Sequence, residues 1–282
     1  MKNISKIPAL DVSHLNVEYK PTSLKAEFIL SLSKGRSGNN NIISDVSVII
    51  PQGVMCGIIG PNGAGKTTFI KAILNIIPIA TGMVTILGQC IKDARNKIAY
   101  VPQRNSVDWD FPLTVFDMVL MGCYGKLGWF KRPGKNEYNQ VLQALNAVGL
   151  CEYAHQPIHV LSGGQQQRAF LARALMQQAH VYFLDEPFAG VDIATEKIII
   201  NLFKQLRDEG KTIIVVHHDL FTAPTYFDHV MLLNKTCIAC GPTANILTPA
   251  YLECTYGTNF APFDTFFEDK KHSGRAEEKF LE

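Results

Sequence analysis

Nine residues near the first quarter of the chain, Gly60-Pro61-Asn62-Gly63-Ala64-Gly65-Lys66-Thr67-Thr68, carry the types and spacing needed to hold a polyphosphate. The pattern is G-x-x-x-x-G-K-[ST]. An apolar run, "VMCGIIG", precedes it as a strand would, and "KTTFIKAIL" follows as a helix would. A triphosphate must be approached by several backbone amides at once. Only glycine allows that curl without a Cβ clash, and the helix N-terminus adds partial positive charge. Lys66 is then placed to reach the β- and γ-phosphates. The Thr67 hydroxyl is placed to ligate Mg²⁺.

A second group of chemical residues follows in "HVYFLDEPFAGVD". Val181 to Leu184 read as a short buried parallel strand. Asp185 at its end suits Mg²⁺, and Glu186 beside it suits polarising a water for attack on the γ-phosphate. Farther on, "KTIIVVHHDL" is another apolar strand, ending in His217 and His218. Neighbours on a strand point to opposite faces, so the pair does not easily share a metal ion. One histidine reaching the γ-phosphate is the better reading.

The stretch "VLSGGQQQRAFLARALMQQA" offers a second anion-binding helix end. Ser162 can cap the helix, and Gly163 and Gly164 leave its first amides bare. One phosphate site already exists. The second helix end is accounted for if two copies pack head to tail, each lending this helix to the other's ATP.

In this combination the sequence resembles the ATP-binding subunit of ATP-binding-cassette (ABC) transporters, over roughly residues 10 to 245. GPNGAGKT at Gly60, "YVPQ" with Gln103, LSGGQ at Leu161, "VYFLDE" at Val181, "AGVD" with Asp192 and the histidine His218 stand in the family's order. The resemblance implies an α/β fold: a P-loop NTPase core with a mostly parallel sheet, an N-terminal antiparallel β subdomain and an inserted α-helical subdomain. It implies ATP and Mg²⁺ as ligands, with Thr67, Gln103 and Asp185 around the metal and Glu186, His218 and Gln103 serving hydrolysis. Leu161, Ser162, Gly163, Gly164 and Gln165 would serve the partner copy's ATP, and Asp192 would contact the partner's site. An aromatic near the N-terminus would stack on adenine. Tyr19 of "NVEYK" is the candidate, with Phe28 as substitute, because "KPTSLKAEFILSLSKGRSGNNNI" is longer than the family's usual turn there.

"PQRNSVDWDFPLTVFDMVLMGCYGKLGWFKRP" is similar to one subfamily, the ATPases of metal-ion importers for manganese, iron or zinc. That resemblance implies a homodimer on ATP binding, two integral membrane permease subunits and, indirectly, a metal-binding solute-binding protein. It places the chain peripherally on the cytoplasmic face of the cell membrane. Trp109, Phe111 and Pro112 would form part of the surface that receives a permease helix, since an aromatic rimmed by charge suits such an anchor. A core role for Trp109 is the alternative. A soluble ABC ATPase without a transport role, or one serving another substrate, is the alternative at the level of function.

Composition agrees with these readings. The 282 residues are 47% hydrophobic and 18% charged, which allows a substantial core. A net charge of +2 gives no electrostatic reason to propose nucleic acid as a partner. No run of 18 apolar residues is present, and the first ten residues lack a signal-type segment. Seven scattered cysteines read as reduced thiols; Cys237 and Cys240 form a lone C-x-x-C with no second pair to complete a zinc site. Residues 1–245 are read as one ATP-binding domain with a helical segment inserted at about 104–165. Residues 246–282 are read as a C-terminal extension ending in a polar tail. Within the insertion, Val141, Leu142, Leu145 and Val148 recur at helical spacing before Gly149. "ATEKIIINLFKQLRDEG" is a second amphipathic helix, stopping at Gly210.

Overall fold

The computed structural model describes residues 7–18, 41–128 and 131–257. Tyr19, Phe28, most of the polar loop before Asn41 and the C-terminal tail lie outside the described residues.

Three fully buried runs form the centre: β3 (Met55–Ile59), β6 (Val181–Asp185) and β7 (Thr212–Val216). Strands buried on both faces have no polar side to show, which is why they read as continuous apolar runs. With β5 (Ile98–Val101), β8 (His229–Asn234) and β9 (Thr236–Pro242) they make a six-stranded sheet of order β5-β6-β7-β3-β8-β9. All its neighbours are parallel except β8 and β9. Alternate residues feed two separate cores: Met55 and Ile59 face one, Cys56 and Ile58 the other. A second sheet, antiparallel and of order β2-β1-β4, is built from β1 (Leu10–Glu18), β2 (Asn41–Ile50) and β4 (Thr81–Ile86). The alternating burial along β2 gives it one wet face.

Six helices matter for the site: α1 (Lys66–Ile73), α2 (Val115–Leu120), α3 (Lys135–Ala147), α4 (Gly163–Met176), α5 (Ile193–Asp208) and α6 (Pro249–Tyr256). Helices α2, α3 and α4 pack on one another, and α4 also packs against β5. Val141 and Leu145 of α3 are buried, whereas Leu142 is 48% exposed. At about 100° per residue, Leu142 falls just past the edge of the apolar stripe that its neighbours define. No helix among the described residues is long and apolar enough to cross a membrane.

The chain order puts the C-terminal ends of β5, β6, β7 and β3 side by side. In open α/β sheets that edge is where ligands sit.

Candidate nucleotide site

The glycine-rich turn leaves β3 at its C-terminal end. A Cβ on Gly60 would collide with the carbonyl oxygen of Leu233 on the neighbouring β8, so only glycine fits. Gly65 takes φ 91°, a left-handed conformation, and from it α1 starts. Pro61, Asn62, Gly63 and Ala64 form the turn between them, and Thr68 lies in the first turn of α1. Lys66 folds along the loop, donating from Nζ to the carbonyls of Gly60 (2.7 Å) and Pro61 (3.0 Å). Burial pushes its pKa down, against the pull of Glu186 and Asp185.

Thr67 and Asp185 meet across α1 and β6: the threonine Oγ1 donates to Asp185 Oδ1 at 2.9 Å. Asp185 is fully buried, and its second oxygen, Oδ2, has no hydrogen-bond partner among the described residues. Burial raises its pKa, with the Thr67 bond opposing. An unpartnered buried carboxylate oxygen is costly. One carboxylate and one hydroxyl oxygen in contact are the hard donors that Mg²⁺ takes, so the residues present fit that ion.

Glu186 follows with φ 51°, a conformation that non-glycine residues rarely adopt and that concentrates at functional sites. The turn swings its side chain out of the strand's alternation. Glu186 Oε2 accepts from Gln103 Nε2 at 2.8 Å, so the loop after β5 touches the loop after β6. Of the two histidines after β7, His217 is buried. Its Nε2 lies 2.7 Å from Thr222 Oγ1, and its ring packs edge-on to Phe188 and Phe227. Burial takes its pKa down to about 4. His218 is exposed beside it.

Leu161 to Gln165 lie elsewhere, at the start of α4. They are not among the hydrogen-bond partners of Lys66, Thr67, Asp185 or Glu186. Ser162 and Gln165 form a capping box: Ser162 Oγ accepts from the Gln165 amide (3.3 Å) while Gln165 Oε1 accepts from the Ser162 amide (2.8 Å). Gly164 backs onto Gly190 and Val191. Asp192 caps α5, accepting from the amide (2.9 Å) and hydroxyl (2.7 Å) of Thr195, and these bonds hold its carboxyl below the usual range.

Trp109 is half-buried, its ring 5.1 Å from that of Phe170 in an edge contact. Its Nε1 donates to the carbonyl of Arg104 at 3.1 Å. Phe111, by contrast, is 60% exposed, and Pro112 is exposed beside it. Sequence reasoning passed over Arg104 and Gln166, which hydrogen-bond to each other at 3.0 Å between this loop and α4. The available signal was a second polar residue directly after Gln103.

The family model for ABC transporters matches residues 43–189. The manganese transport system ATP-binding protein MntB of Bacillus subtilis is 53% identical over 81% of this chain and 90% of its own length. The zinc transport system ATP-binding protein TroB of Treponema pallidum is 50% identical over 85% of this chain and 91% of its own. Among solved structures, CbiO1 from Clostridium perfringens, part of the ABC transporter complex CbiONQ, shares the fold with a TM-score of 0.68. It does so at 24% identity, over 93% of this chain and 99% of that one. The chain belongs to the ABC transporter family and is one of its ATPases.

Proposed function

We propose that the chain is the ATPase subunit of an importer for a transition-metal ion, working as a head-to-tail dimer beneath two integral membrane permease subunits. A metal-binding solute-binding protein would deliver the ion, and the chain would sit on the cytoplasmic face of the membrane. The observation that carries this reading is identity of 50% or more, across four fifths of the chain, to ATP-binding proteins of manganese and zinc transport systems.

In this reading Gly60 to Thr68 wrap the triphosphate, and Lys66 leaves its loop carbonyls for the β- and γ-phosphate oxygens. Mg²⁺ held by Thr67 Oγ1 and Asp185 would neutralise charge on those phosphates. Glu186 takes a proton from the attacking water as the water oxygen bonds to the γ-phosphorus. The bond to the β–γ bridging oxygen breaks, and ADP leaves. Gln103 holds the carboxylate of Glu186 in place and senses the metal and water. His218, exposed at the end of β7, reaches the γ-phosphate from the side. Leu161 to Gln165 serve the second copy's ATP, and Asp192 places the turn before α5 against that copy. Ile193, next in sequence, is 74% exposed, which agrees with a face that a partner covers. Phe111 and Pro112 present apolar surface to a permease helix, and Trp109 supports them from beneath.

Uptake of labelled manganese and zinc should be measured in cells lacking the gene and supplied with wild type or Lys66→Ala. Restored uptake of either metal by wild type alone, with both permease subunits co-purifying, is the expected result. Normal uptake of both metals in the deleted cells would overturn the metal reading.

A further inference from the structure

The loop after β5 carries two adjacent polar residues that reach in opposite directions. Gln103 bonds to Glu186 at the chain's own hydrolytic edge. Arg104 turns to α4, the helix whose end the chain would lend to its partner. Its Nε donates to Gln166 Oε1 at 3.0 Å, and Gln166 is only 3% exposed. The other end of that amide donates to the carbonyl of Ile158 (3.2 Å), just before the helix. The guanidinium also lies flat on Gly163: a Cβ there would sit 2.8 Å from Arg104 Cζ. The backbone at Gly163 is not left-handed, so no turn demands glycine there; the bare residue lets the guanidinium come this close. Arg104 is held at its other end too, since Trp109 donates to its carbonyl while packing on Phe170, two turns along the same helix.

We propose that Arg104 is a positioning residue that fixes the Ser162–Gln165 helix end for the ATP bound by the second copy of the chain. The proposal rests on the head-to-tail reading above. One loop then grips both sites: through Gln103 the ATP that its own chain holds, and through Arg104 the ATP that its partner holds. Removing the guanidinium leaves a buried amide oxygen unpartnered and an open space beside Gly163, so the helix end loses its fixed place.

The role has a signature that general structural support does not share, because it acts only across the dimer. The test uses two-tag heterodimers in which every chain carries Glu186→Gln, so that ATP is trapped without turnover. One chain also carries Lys66→Ala, leaving a single ATP-holding chain. Arg104→Ala is placed either on the chain holding ATP or on the opposite one, and dissociation of labelled ATP is followed. Loss of one buried hydrogen bond should speed release about tenfold when the substitution is on the opposite chain, and not when it is on the holding chain. Gln166→Met, which removes the acceptor and keeps the arginine, should give the same asymmetry. Ser162→Arg in the same two placements is the control. If Ser162→Arg acts only from the opposite chain while both Arg104→Ala and Gln166→Met act equally, or not at all, in the two placements, the role of Arg104 is refuted and the head-to-tail reading stands. If Ser162→Arg itself shows no asymmetry, the head-to-tail reading fails and takes the Arg104 proposal with it.

Discussion

Two stretches flank the same sheet edge and are held in place by different means. Around Lys66 the geometry is imposed by the backbone. A glycine that alone fits against Leu233, a left-handed Gly65 and a left-handed Glu186 leave the chain no other path. From Arg104 to Leu113 it is imposed by side chains. A guanidinium lies on a helix, an indole bonds to a carbonyl, and an exposed phenyl lies beyond them. Backbone constraints of the first kind place charges to within tenths of an ångström, which chemistry needs. Side-chain constraints of the second kind can shift, which coupling to other subunits needs. Substitutions in the first stretch should therefore change hydrolysis, and substitutions in the second should change dealings with other chains: the second copy's ATP through Arg104, and the permease through Phe111.

The largest effect expected is in the first stretch. Glu186→Gln should retain ATP binding and slow hydrolysis by at least ~10²-fold, as loss of a general base does. Measurement of turnover beside equilibrium ATP binding checks it. Wild-type turnover would remove Glu186 from the chemistry and with it the contrast between the stretches.

His217 should give the next effect, in stability. Its pKa falls from 6.5 to about 4 on folding because it is buried. A base whose folded pKa is depressed binds its proton more tightly in the unfolded chain. The stability it supports is thus complete above pH 6.5 and lost as pH falls towards 4. A shift of this size corresponds to roughly 3 kcal/mol. Thermal unfolding between pH 7 and 4 should show that slope in the wild type and a shallower one in His217→Gln. Equal slopes would mean that His217 is not held neutral in the folded protein.

The sequence made the first stretch more legible than the second, and the reason is physical. Glycines forced by backbone geometry, and charged residues at the ends of buried strands, have few substitutes, so their spacing alone declares them. Of the parallel strands, β3, β6 and β7 were visible as uninterrupted apolar runs because both their faces are buried, whereas β5 and β8 were not read as strands. Trp109 shows the limit. Two flanking aspartates, Asp108 and Asp110, made it read as an exposed anchor, yet its ring turns inward onto Phe170 and Phe111 is the aromatic left outside. Sequence neighbours do not report which side of an irregular loop faces the core. Arg104 and Gln166 were missed although pairs farther apart, such as Thr67 and Asp185, were legible, because neither residue belongs to a motif whose chemistry names its partner.

Trp109 and Phe111 can be used to divide the second stretch. Trp109→Ala removes a half-buried ring and the bond to the Arg104 carbonyl, and should cost the isolated chain about 2 kcal/mol, below the range for a fully buried tryptophan. Phe111→Ala should leave the isolated chain within about 0.5 kcal/mol of wild type, as exposed positions do. It should weaken binding to the permease subunits about 30-fold if it is an anchor. Melting of the lone subunit and pull-down of the permease together read both. A Phe111→Ala chain that melts early and still binds the permease would reverse the assignment.

The smallest effect expected runs against intuition and returns to the backbone-held stretch. Asp185 is fully buried, one of its oxygens has no partner among the described residues, and burial disfavours its charged form. A carboxylate in that position is a standing cost to the folded chain, and it is accounted for if Asp185 is the hard anionic donor to Mg²⁺ proposed above. Asp185→Asn keeps the shape and can still accept from Thr67, but carries no charge to desolvate. The isolated chain should therefore gain about 1 kcal/mol, or a melting temperature a few degrees higher. The same variant should lose Mg²⁺-dependent hydrolysis. The two readouts must move in opposite directions for the argument to hold. A variant that is both less stable and inactive would show that Asp185 holds the strand end together and that its charge is compensated within the folded chain.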